Sequence, residues 1–234
     1  MKRLFTFGCS MTNYRWSTWA DCLAPEFDYF ENWGQHGGGN QYIFNSIIEA
    51  DLRHKFGASD TVVVCWTGHM RDDRYINNRW QTLGTIFTCP IYDPACVKNH
   101  VDERGYLIRD LATMQATKMI LESKPDLNWQ FLCMIEIGWT TSANDSHPNS
   151  DVCALYRDVI SSVAPSYLNT VFQKSGWPDR DGDRHPTPNE HLAYLDTVLP
   201  GWVTKAETRA KMNEETVNLR KDSKKFGTST VTRL

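Results

Sequence analysis

Short apolar runs separate longer amphipathic stretches along this 234-residue chain. Arg3–Phe7 reads as a first strand that runs into Gly8-Cys9-Ser10. Thr61–Trp66 (T-V-V-V-C-W) is β-branched, continuous and apolar, the pattern of a parallel strand buried on both faces. Trp129–Ile137 predicts another buried strand, Asp28–Trp33 a second strand after the first, and Leu168–Phe172 a last one. Between them, Trp16–Leu23, the stretch from Asn40 to Gly57, Ile108–Ile120, Val152–Val163 and Glu190–Leu199 carry helical spacing. Asn40 is placed to cap its helix and Gly57 to end it. Residues 70–107 are polar and irregular, with Cys89-Pro90, Pro94 and Gly105, and read as a long insertion beside the site. Asn144–Ser150 reads as a polar loop.

Strands alternating with helices predict an α/β fold, a three-layer α/β/α, flavodoxin-like arrangement around a central parallel sheet. In such sheets ligands bind at the carboxyl ends of the strands. Ser10, the glycine run Gly37-Gly38-Gly39 and Thr67–Arg71 all fall there. The division expected is one domain over 1–202 and a polar, basic extension over 203–234. Lys205–Leu234 holds eight Lys and Arg against four acids and predicts a helix followed by a loose tail. That tail is either a solvated appendage or a docking arm for a protein partner.

Bulk composition narrows the function classes. A net charge of −3 gives no reason to expect nucleic acid. No apolar run reaches the roughly 20 residues that span a bilayer, and Leu4–Phe7 is too short for a signal peptide. A cytoplasmic protein is therefore expected. The seven cysteines (9, 22, 65, 89, 96, 133 and 153) are odd in number and form no C-x-x-C pair, which fits reduced thiols rather than disulfides or zinc. Asp179, Asp181, Asp183 and Glu190 have the spacing of an EF-hand loop, but Arg184 stands where that turn needs glycine, and Pro186 and Pro188 break its backbone. No metal and no cofactor are expected.

The candidate chemistry lies at the two ends of the chain. A serine in a tight turn after a strand can project its hydroxyl from the sheet edge. His185, in Asp183-Arg184-His185-Pro186, can take its proton, with Asp183 orienting the imidazole. Three blocks occur in order: Gly8-Cys9-Ser10, then Asn32-x-Gly34-x-x-Gly37, then Asp183-x-His185-Pro186. Together they resemble the SGNH (GDSL-type) family of serine hydrolases. That resemblance implies Ser10 as nucleophile, His185 and Asp183 as its partners, and an oxyanion hole from the N–H groups of Ser10 and Gly37. Two features depart from the family pattern. The third block, normally ending G-x-N, is here Thr67-Gly68-His69-Met70-Arg71. His69 stands nearest the missing Asn as a donor, and Arg71, with Asn40, is placed to bind substrate, Arg71 through an anionic group. The last block is D-x-H rather than the commoner D-x-x-H, with Asp181 as an alternative acid.

The resemblance implies an esterase acting on small acyl esters, O-acetyl groups on glycans among them. The alternative is a catalytically weak or inactive module on the same fold, for instance a virion-associated subunit. Phrases such as W-x-x-W-A-D-x-L and H-P-T-P-x-x-H also resemble SGNH-like proteins of tailed phages.

Overall fold

The computed structural model describes residues 1–137, 149–180, 182–202 and 204–221. Four parallel strands form the central sheet: β1 (Arg3–Phe7), β2 (Tyr29–Asn32), β3 (Asp60–Trp66) and β6 (Asn128–Cys133), in the order β2-β1-β3-β6. Phe5 lies opposite Glu31 on one side and Val62 on the other, and Val64 opposite Phe131. The chain therefore leaves β1 with neighbours on both sides. In open α/β sheets such a reversal of strand order marks the ligand-binding end, here the carboxyl end of β1.

Alternation along β3 explains the three layers. Val62, Val64 and Trp66 face one core with Tyr42, Ile43 and Ile47 of α2 (Asn40–His54) and Leu107, Leu111 and Met114 of α4 (Glu103–Glu122). Val63 and Cys65 face the other, with Trp19 and Leu23 of α1 (Trp19–Leu23) and Leu192 and Leu195 of α7 (Pro188–Val198). A strand buried at every position serves two helical layers at once. Phe131 is fully buried between the rings of Trp66 and Trp129. Phe131→Ala should cost about 3–5 kcal/mol, read as a lower urea midpoint at unchanged slope.

Several boundaries differ from the sequence expectation, each for a local reason. The first helix begins at Trp19, not Trp16, because Thr18 and Asp21 close a capping box. Asn40 lies inside α2, and its cap comes from another element: the Asp73 carboxylate accepts from the N–H groups of Gly39 and Tyr42. Gly57 does not end this helix. Lys55 does so in a left-handed conformation, while Asp51 accepts from the Phe56 N–H. The expected last strand, Leu168–Phe172, is a series of turns. Tyr167, Leu168, Val171 and Phe172 pack on the core at helical rather than alternating spacing, and Ser166 and Tyr167 accept local bonds from Asn169, Thr170 and Phe172. Just before this segment, Val163 forms a parallel bridge to Phe131, and the Ala164 N–H donates to the Phe131 carbonyl.

Residues 70–107 are more regular than their sequence suggests. They form an antiparallel hairpin, β4 (Arg71–Ile76) and β5 (Arg79–Thr85), then α3 (Pro94–His100) and the start of α4. Val152–Val163 is broken into α5 (Ser150–Leu155) and α6 (Arg157–Ser161). Beyond Trp202, α8 (Ala206–Lys221) packs along α7, with Met212 buried and Arg209 paired to Asp196. The Asn144–Ser150 loop up to Pro148, and the tail after Lys221, lie outside the described residues. No helix among the described residues is long and apolar enough to cross a membrane. All seven cysteines are free thiols.

Candidate active site

Ser10 stands in the turn that follows β1. The N–H groups of Thr12 and Asn13 both donate to the Cys9 carbonyl, which closes the turn. Gly8 permits it: a Cβ there would sit 2.0 Å from the Thr12 Oγ1 and 3.1 Å from the Cys65 carbonyl oxygen. No helix follows at once. Residues 11–18 form a loop before α1, and this loop carries Tyr14, Arg15 and Trp16.

His185 comes to the same place from the segment before α7. Its Nε2 lies 2.8 Å from the Ser10 Oγ, and its Nδ1 2.8 Å from the Asp183 Oδ1. An ionised carboxylate only accepts, so the proton sits on Nδ1 and leaves Nε2 free to accept from the serine. Burial lowers the His185 pKa below the ordinary 6.5, and His36 and Arg71 add to this against the pull of Asp183. Burial alone would raise the Asp183 pKa, but the His185 N–H, the His185 ring and the Tyr14 hydroxyl outweigh it and hold the carboxyl below the usual range. The imidazole is thus neutral and the carboxylate ionised at neutral pH. Asp181 lies outside the described residues. Two other acids at EF-hand spacing are spent elsewhere: Asp183 here, and Glu190 on Arg180 and the Thr187 N–H.

The glycine loop is tied to this turn. The Gln35 N–H donates to the Gly8 carbonyl, and the Asn32 side chain donates to the Thr12 carbonyl. Gly37 has φ of +70°, and the β5 backbone presses on it: a Cβ there would lie 2.2 Å from the Thr82 carbonyl oxygen. The Ser10 and Gly37 N–H groups donate to no other residue among the described ones.

The remaining candidates separate. Arg71 enters the site from β4. Its guanidinium donates to the Gly38 carbonyl at 2.7 Å and lies 3.6 Å from the Met134 sulfur, itself 3.8 Å from the Cys9 thiol. It therefore holds the residue after Gly37 directly and reaches the residue before Ser10 through Met134. His69 is buried, with its Nε2 3.3 Å from Glu103 at the start of α4, and burial lowers its pKa. Asn40 is fully buried, and its amide is committed: Nδ2 donates to the Thr67 carbonyl and to Asp110, while Oδ1 accepts from the Thr67 N–H. Asn40 thus fixes the loop after β3, and burial pushes its partner Asp110 up to about 6.

Sequence reasoning missed three groups. The Tyr14 ring stacks on the His185 ring with centroids 3.8 Å apart, and its hydroxyl donates to Asp183. Arg15 forms an ion pair with the same carboxylate. His36 lies 6.1 Å from His185 between ring centroids. Their one sequence signal was position: Tyr14 and Arg15 follow the Ser10 turn, and His36 precedes Gly37.

Fold and site together define a flavodoxin-like α/β protein with a serine–histidine–aspartate hydrogen-bond chain at the carboxyl end of its first strand. The chain is similar in structure to a member of the lipolytic protein G-D-S-L family from Veillonella parvula, at 14% identity and a TM-score of 0.46, over 87% of this chain and 100% of that one. It is likewise similar to an acetylxylan esterase from Geobacillus stearothermophilus, at 14% identity and a TM-score of 0.46, over 85% of this chain and 94% of that one. No family model and no curated protein matches the chain. The roles of individual residues accordingly rest on the geometry of this chain.

Proposed function

We propose that the protein is a serine esterase of the SGNH kind, acting on small acyl esters. The observation that carries this reading is the unbroken chain from the Ser10 hydroxyl through His185 to Asp183. Ser10 Oγ attacks the acyl carbonyl as its proton passes to His185 Nε2. Asp183 keeps the proton on Nδ1 and stabilises the imidazolium. The Ser10 and Gly37 N–H groups donate to the developing oxyanion. Arg71 supplies positive charge beside them, whereas His69 faces Glu103. The tetrahedral species collapses as His185 protonates the leaving alcohol. Water, deprotonated by His185, then attacks the acyl–Ser10 ester, and His185 returns that proton to Ser10 Oγ as the acid product leaves. O-acetylated glycans are the substrate class that the motif resemblance implies.

Purified protein should hydrolyse p-nitrophenyl acetate and take up a fluorophosphonate probe at Ser10, located by peptide mass spectrometry. Protein that does neither would sink the reading. The base works only when neutral, and the His185 pKa is lowered. The acid limb of kcat/KM should therefore have its midpoint below about 6.5, the ordinary histidine value, with activity rising as pH rises through it.

A further inference from the structure

The D-x-H spacing gives the Asp183 carboxylate a lopsided task. One oxygen, Oδ1, accepts from both the backbone N–H of His185 (2.9 Å) and its ring Nδ1 (2.8 Å). Histidine and carboxylate therefore share a single local turn. The other oxygen, Oδ2, points away from His185 in a buried setting, where a lone pair without donors is costly. Two consecutive residues from the loop after Ser10 meet it. The Tyr14 hydroxyl donates to it at 2.8 Å, and an Arg15 Nη2–H at 2.5 Å. The next residue grips the same loop one step on, since the Trp16 indole N–H donates to the Pro186 carbonyl at 2.7 Å. The segment that presents the nucleophile thus also holds the segment that presents the base.

We propose that Tyr14 and Arg15 are positioning residues that fix Asp183 against His185 and divide its negative charge between the Arg15 guanidinium and the imidazole. The proposal deepens the esterase reading and rests on it for the meaning of the Ser10–His185 pair. Its geometry has two consequences. Tyr14, stacked on His185 and bonded to Asp183, locks the ring plane while its hydroxyl satisfies the carboxylate. Arg15, half-neutralising Asp183, leaves less negative charge to favour the imidazolium. The base is thereby kept neutral, and able to accept the serine proton, further into acid than an unshared carboxylate would allow.

Other charged or titratable groups also face His185. His36 comes from the loop before α2, Arg71 from β4 and His191 from α7. Arg180 donates to the His185 carbonyl and pairs with Glu190. None of these touches the Asp183 carboxylate, so removing Arg15 leaves them in place and changes the carboxylate that His185 bonds among the described residues.

The test is an NMR titration of the full chain labelled in histidine, with the His185 ring signals assigned against a His185→Gln variant. In Arg15→Met the His185 midpoint should rise by about one pH unit, a tenfold change in proton affinity. Tyr14→Phe, which keeps the stacked ring, should raise it by a smaller amount. Arg15→Lys, which keeps the charge, should stay nearer the wild-type value than Arg15→Met. The acid limb of kcat/KM on p-nitrophenyl acetate should move with the midpoint. Near-UV circular dichroism selects the variants that fold, and Tyr14→Phe decides the matter if Arg15→Met does not. A midpoint that stays or falls in a folded variant overturns the proposal, since a merely structural clamp would lower stability without raising the proton affinity. The titration needs no turnover. Loss of the esterase reading would show as absent hydrolysis, and loss of the clamp as an unmoved midpoint.

Discussion

Ser10→Ala is expected to remove ester hydrolysis almost completely, with kcat/KM falling by about 10⁶-fold where the serine and histidine act as one unit. The fold gives little reason for any other effect. Among the described residues the Ser10 hydroxyl bonds only to His185. The turn around it is built from backbone: the Thr12 and Asn13 N–H groups on the Cys9 carbonyl, and the close approach of Gly8 to Thr12 and Cys65. Alanine keeps all of this. The variant should melt within a degree or two of the parent, as expected of a change that opens no core cavity, and should no longer react with a fluorophosphonate. Initial rates on p-nitrophenyl acetate in both proteins, with active-site titration of the parent, decide the point. A variant that retains a tenth of the parent rate would place the nucleophile elsewhere.

The residues of this site were unequally legible in the sequence. Ser10, Gly37 and Asp183-x-His185 could be read because each sits in a short local pattern and the three patterns come in a fixed order. The same holds for β3, whose run of β-branched residues has no alternative to burial on both faces. What the pattern missed was made by tertiary contacts. Asn40 looked like a helix cap from its neighbours, but the cap comes from Asp73, 33 residues further on in the chain, and the Asn40 amide is drawn inward to Thr67 and Asp110. His69 was expected at the oxyanion position from its place after β3, and a carboxylate on α4 takes its ring nitrogen instead.

The hairpin of β4 and β5 shows the same limit from another side. Its strands are polar and only partly buried, so no hydrophobic alternation announces them. Yet this hairpin supplies Arg71 to the site, Asp73 to the start of α2 and the Thr82 carbonyl against Gly37. The false strand at Leu168–Phe172 is the converse: an apolar run whose side chains reach the core from turns. Tyr14 and Arg15 had no motif at all, because their partner Asp183 lies 169 and 168 residues away.

Gly37→Ala is the second large effect, and it tests the proposed oxyanion hole apart from the proposed triad. At φ of +70° an L side chain is strained. The decisive term is contact, because the new Cβ would lie 2.2 Å from the Thr82 carbonyl oxygen. That oxygen belongs to a paired strand, whose Thr82 hydroxyl also donates to the His36 carbonyl, so it cannot swing aside as a side chain would. The loop must move instead, and the Gly37 N–H moves with it. Loss of one oxyanion donor costs about 10²–10³ in kcat, and that fall is expected with little change in KM. Gly84→Ala separates strain from displacement. Gly84 also has positive φ, at +80°, but its Cβ would meet nothing within 4 Å. This control should lose about 1–2 kcal/mol of stability and keep its turnover. Equal kcat in the two variants, whether both intact or both impaired, would mean that the Gly37 N–H does not hold the oxyanion. A fall confined to Gly37→Ala would assign to it the charge that Ser10 creates.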